Sequence, residues 1–226
     1  MSKISLEPNA SGAGTFTLAA PNSNTNRTLN LPDESGVLFS DGSGVPGSAV
    51  AGQLASSNMP AGSVIQTVSA GMSGTFSTSS TTPSTISDGV NPLEISLTPI
   101  SSNSKILLFC STSFSLTNSN GDSGHFRFYR NNTPISIGDA SGGRTRAYYG
   151  SRATTTTSDG FIFTFNKLSV SMSTEDLPQT TSPVIYSVKA FIGFGGTMSV
   201  NKEQGDNDGS FSDRGFSSLI AMEIAG

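Results

Sequence analysis

The stretch DASGGRTRAYYGSR, residues 139–152, gathers Asp139, Arg144, Arg146, Tyr148, Tyr149 and Arg152. A guanidinium donates paired hydrogen bonds to a carboxylate or phosphate, and a phenol ring offers rigid area with one polar tip. On an exposed loop these residues would hold an acidic or sugar-bearing surface rather than turn over a substrate. They suit a second role equally well. Contacts between subunits also concentrate Arg and Tyr, and Arg144 or Arg146 would then meet Asp139 of a neighbouring copy.

Other candidates for chemistry are sparse. His125, in GHFRFYR, is the single histidine. On a strand it shares a face with Arg127 and Tyr129, opposite Phe126 and Phe128, which makes either a polar binding face or an ordinary outer face. No nucleophile elbow accompanies it. Glycoside hydrolysis needs only two carboxylates roughly 5–10 Å apart. Glu175 with Asp176, or Asp206, Asp208 and Asp213, are the candidates, although turns that use Asp and Asn explain them more simply. GDNDGS, residues 205–210, lacks the register and closing glutamate of a calcium loop, so no metal is expected. GDASGGRTR matches neither a P-loop nor a dinucleotide fingerprint, and no cofactor is expected. Cys110, alone in KILLFCSTSF, can form no intrachain disulfide and reads as a buried structural thiol.

The elements that must carry these residues are strands. The chain has 226 residues, of which 34% are hydrophobic and 12% charged, with 25 Gly and no Trp. Ser, Thr, Asn and Gly take the place of the missing charge, and they favour strands, turns and bonded loops over helix interiors. A net charge of −4 and a sequence pI near 4.9 argue against general nucleic-acid binding. The start, MSKISLEPNASG, has no apolar leader core, and runs such as ILLF fall far short of the ~20 residues that span a bilayer. No membrane insertion is expected, and a place outside the cell would be reached by lysis or within a particle.

From residue 62 onward, eleven strand candidates recur: 63–68, 74–78, 93–98, 105–116, 125–130, 134–138, 146–151, 161–170, 184–192, 197–200 and 218–225. Regular spacing with turn-rich connections predicts an all-β fold, most economically a jelly-roll-like antiparallel sandwich. In SLIAMEIAG, Ile220, Met222 and Ile224 share one face, and Leu219, Ala221 and Glu223 the other. A strand apolar on both sides belongs at the centre of a sheet or against another subunit.

Residues 1–45 form a separate unit, joined by a Gly/Ser/Pro-rich linker over 46–61 to the head domain over 62–226. Phe16 and Leu18, then Leu29 and Leu31, alternate with polar residues in pieces too short to build a core within one chain. Their alternation points to burial against another chain rather than to disorder. GTFTLAAPNSNTNRTLNLPDESGVL resembles a motif near the N-termini of tailed-bacteriophage fibre and appendage proteins. MPAGSVIQTVS, KILLF, HFRFYRNNTPISIGDASGGRTR and AMEIAG are similar to the head domains of such proteins.

The resemblance implies a homotrimer whose N-terminal strands intertwine into a shaft, with Phe16, Leu18, Leu29, Leu31, Val37 and Leu38 packing between chains. It implies a non-enzymatic virion protein, assembled in the host cytoplasm. The chain would dock onto another virion structural protein through residues 1–45 and present its head to a host glycan or protein. Rival roles are a capsid decoration protein or head fibre, a polysaccharide-degrading spike enzyme, and a lectin-like trimer.

Overall fold

The computed structural model describes residues 59–116, 123–152, 167–203, 205–210 and 212–226, with residues 11–13, 17, 24 and 26 besides. The six residues expected to pack between chains lie outside the described residues, as does the 161–166 part of one expected strand. The chain divides into two units, Met1–Ala51 and Gly52–Gly226, and the described strands all belong to the second.

That unit is all-β, and its strand pairs are antiparallel. One six-stranded sheet runs β1 (Val64–Met72), β12 (Ser217–Ile224), β5 (Lys105–Leu116), β11 (Met198–Val200), β2 (Phe76–Thr78), with β9 (Leu168–Asp176) also paired to β5. The other runs β3 (Ser84–Thr85), β10 (Val184–Phe194), β6 (Ser123–Arg130), β7 (Thr133–Ile135), with β4 (Glu94–Leu97) on β10 and β8 (Tyr149–Arg152) on β6. Alternation along each strand turns one apolar face toward the other sheet. Ile106, Leu108, Cys110 and Phe114 of β5 meet Phe126 and Phe128 of β6 and Tyr186, Val188 and Ile192 of β10 in a single core. Phe114 and Phe126 touch edge to face, their centroids 5.3 Å apart. Such a contact adds about 0.5–1.5 kcal/mol beyond burial of the rings.

Strand β12 lies between β1 and β5, as its doubly apolar pattern predicts. Its inward face carries Leu219 and Ala221, and also Glu223, fully buried. The Glu223 carboxyl group accepts from the backbone N–H of Ile100 at 2.7 Å and from the side-chain amide of Gln66, so the loop after β4 and strand β1 each supply a partner to this buried polar group. The outward residues Ile220, Met222 and Ile224 stay half-buried, with Phe109 of β5 opposite Ile220 and 40% exposed.

The turn after β11 is held by Asn201, which takes a left-handed φ of 60°. Its amide donates to the carbonyls of Met72 at 2.9 Å and Gly74 at 3.0 Å, and its side-chain oxygen accepts from Ser217 at 2.7 Å. One buried side chain thereby ties the ends of β1, β11 and β12 together. Asn tolerates this backbone region better than most residues, which is why the position is polar inside an apolar core.

Several strands depart from the sequence pattern: β3 is unexpected, β1 runs on to Met72 and β7 ends at Ile135. β9 runs on through SMSTED to Asp176, because its polar positions face outward along β5 while Val170 and Met172 are buried. β8 begins only at Tyr149, since residues 144–147 form a loop that bonds back on itself.

Candidate functional site

On the outer face of the second sheet, β6 presents His125 and Arg127 and β10 presents Phe191 directly opposite His125. The His125 ring stacks on Phe191 at 5.1 Å between centroids, and the Arg127 guanidinium carbon lies 4.4 Å from the same ring centre. Two glycines make room for the imidazole. A Cβ on Gly150 of β8 would stand 2.7 Å from His125 Nδ1, and one on Gly193 of β10 would stand 2.6 Å from Nε2. Burial depresses the His125 pKa, and the Arg127 charge depresses it further, so the ring is neutral over a wider range than a free imidazole. Nε2 meets the Ser123 hydroxyl at 3.2 Å, and Nδ1 is buried without a partner among the described residues.

The loop between β7 and β8 folds over this face. The Gly138 N–H donates to the Ala147 carbonyl at 3.3 Å, and Tyr148 N–H donates to the Phe126 carbonyl at 3.0 Å. The arginines pin it. Arg127 Nε donates to the Arg146 carbonyl at 2.5 Å, and Arg146 Nε donates to the Gly138 carbonyl at 2.6 Å. Arg144 Nη1 donates to the Ser141 hydroxyl at 2.6 Å. Between loop and strands lie two depressions of about 640 and 520 Å³, which share Arg144, Thr145 and Gly193. The first adds His125 and Arg152, the second Arg127 and Arg146. Among the described residues none of these four arginines is ion-paired.

The residues singled out in the sequence therefore separate. Arg144, Arg146 and Arg152 are exposed at the depressions. Tyr148 and Tyr149 turn inward instead. The Tyr148 hydroxyl donates to the Ser173 carbonyl at 2.5 Å and its ring meets Phe128 edge-on, which ties the loop to the opposite sheet. Tyr149 packs on Phe114 and Phe126. Asp139 is exposed and forms no ion pair within the described residues. Arg127, Phe191 and Gly193 join the site although only His125 and Arg127 were visible together in the sequence. The opposing register of β6 and β10 brings in the rest.

Of the candidate carboxylates, Glu175 and Asp176 diverge, whereas Asp206, Asp208 and Asp213 share one small depression in which Asp206 and Asp213 are ion-paired. Neighbours on a strand point to opposite faces. Glu175 pairs outward with Lys105 at 3.3 Å, whereas Asp176 turns inward to Arg130. Asp206 is bound by Arg214 at 2.7 Å and Lys202 at 3.6 Å, and Asp213 pairs with Lys167. Asp208 lines a separate small depression beside Asp206 and Asp213. Among the described residues no group of three or more His, Cys, Asp or Glu side chains could hold a metal. Burial pushes the Cys110 thiol up to about 12, far from a reactive thiolate.

No protein-family model matches the chain, and no curated protein matches it. Among solved structures it is similar to dimeric latent PorU from Porphyromonas gingivalis, at 12% identity and a TM-score of 0.30. The match covers 76% of this chain and 14% of that one.

Proposed function

We propose that the protein is a non-enzymatic virion component of a tailed phage. It is a homotrimeric tail fibre or spike that docks by residues 1–45 and presents a jelly-roll-like head for host-surface recognition. The observation that carries the recognition role is the double depression with its four arginines, none of them ion-paired among the described residues. A chain of net charge −4 has gathered positive charge around one exposed sheet face, and holds Arg127 and Arg146 there by bonds to backbone carbonyls and Arg144 by a bond to the Ser141 hydroxyl. Such preorganised cations favour an anionic partner without the ordering cost of loose side chains. Three heads on one stalk would multiply a weak contact by avidity. The N-terminal resemblance to fibre proteins and the alternating residues there support the particle and the trimer.

The test is imaging of intact virions carrying a labelled copy, beside virions made with residues 1–45 deleted. Label on the tail, lost with the deletion, is the expected result. Label over the icosahedral shell would make the protein a head fibre or decoration protein. Normal incorporation of the deleted form would overturn the docking assignment. Reducing ends released from host capsule by the purified protein would overturn the non-enzymatic role.

A further inference from the structure

The recognition role leaves open what the arginine-lined face binds, and the geometry narrows it. Arg144 stands on the wall common to both depressions, with Arg152 on one side and Arg127 and Arg146 on the other. A single inorganic anion would meet only part of this array. The combined space is on the scale of a drug-sized or oligomeric ligand. Hydroxyls of Ser123, Ser151, Thr145 and Thr81 line it, and Phe194, 69% exposed, offers an open ring at its rim. Hydroxyls with one flat apolar surface suit a polyhydroxylated ring, and spaced guanidiniums suit anionic groups on successive units.

We propose that the two depressions together form a binding site for an anionic saccharide. Its carboxylate or phosphate groups sit against Arg144 and, on either side, Arg152 and the Arg127–Arg146 pair. This rests on the recognition role given above, but not on where the protein sits in a particle. Arg127 and Arg146 each spend Nε on a backbone carbonyl, which aims their terminal nitrogens without consuming them. His125, at the floor, is flanked by Arg127 on its own strand, Phe191 and Gly193 on β10, Gly150 and Arg152 on β8, and Arg144 on the loop. Among these there is no carboxylate, and no ion pair reaches these arginines among the described residues, so an incoming anion would supply their counter-charge.

The single histidine makes the test direct, because its ring signals in NMR of the full-length protein are unambiguous. Trigalacturonate and glucose 6-phosphate are the probes, with maltotriose, inorganic phosphate and a short single-stranded DNA as comparators. The charged sugars are expected to move the His125 signals and raise its pKa, and R144A and R152A each to weaken binding about tenfold. Preference between the two probes distinguishes carboxylate from phosphate as the group recognised. Failure of both to move His125 would overturn the proposal. So would equal affinity for inorganic phosphate, tighter binding of maltotriose, or tighter binding of the DNA. Unchanged affinity in R144A and R152A with a lower melting temperature of the assembled protein would assign the arginines to contacts between copies and overturn it too. Saccharide binding by a protein absent from virions would sink the appendage role and leave this site standing. A virion protein that binds neither probe would do the reverse.

Discussion

Strand β6 carries two arginines with opposite surroundings. Arg130, on the inward-facing side of the strand, places Nη1 3.0 and 3.1 Å from the two oxygens of Asp176 and 3.2 Å from the Leu177 carbonyl. The same carboxylate accepts from Tyr186 at 2.7 Å, and burial followed by this bond raises the Tyr186 pKa. Three residues earlier, Arg127 faces outward, over a ring and in one depression with the guanidiniums of Arg144 and Arg146, with no ion pair among the described residues. A cation whose counter-charge is fixed within the fold contributes rigidity. A cation left uncompensated, yet anchored by backbone carbonyls, is available to something outside the chain. Charge compensation, more than exposure, separates the structural arginine from those of the candidate site.

The largest expected effect lies at the compensated end. Asp176→Ala leaves the Tyr186 hydroxyl without its partner and Arg130 with only the Leu177 carbonyl, and loss of these charge-assisted bonds from a part-buried pair costs about 2–3 kcal/mol. Urea unfolding of the full chain should show it, and a loss below about 1 kcal/mol would mean that the pair is decorative. Next comes Gly193→Ala. Its Cβ would press on the His125 ring and the Ser123 hydroxyl, and overpacking of this kind costs about 1–3 kcal/mol. A displaced His125 NMR signal with lowered stability is expected, and unchanged spectra would refute the slot.

A smaller effect is the pH dependence. His125 has a folded pKa below its unfolded value, so between those two values the unfolded chain binds more protons and stability rises with pH. The melting temperature should therefore fall as pH drops below about 6.5. The His125 contribution to that slope should vanish in His125→Gln. The smallest effect sharpens the contrast: Arg152→Ala should change stability by no more than about 0.5 kcal/mol. Should Arg152→Ala destabilise as much as the loss of Asp176, the compensated and uncompensated arginines would not differ in kind.

Much of the fold was legible because alternation is a backbone property. KILLFCSTSFSL reads as β5 from end to end, and HFRFYR sorts His125 and Arg127 from Phe126 and Phe128. β3 was missed because two residues, Ser84 and Thr85, carry no period. The run past Val170 was missed because SMSTED puts few apolar residues inward. For the site, Arg144, Arg146 and Arg152 were visible as residue types. Proximity in sequence placed Tyr148 and Tyr149 with them, whereas the loop's return to β6 turns both rings into the core. Phe191, Gly150 and Gly193 come from other strands, and only register across the sheet brings them to His125.

The position of β12 has a bearing on how the protein is made. Its neighbours β1 and β5 emerge from the ribosome well before it, β5 ending at Leu116 and β12 starting at Ser217. At a synthesis rate of ~5–20 residues per second, β5 waits roughly 5–20 seconds with an edge unpaired. Nascent copies on one message would carry matching open edges side by side, so the same interval that delays folding also brings sister chains within reach of each other.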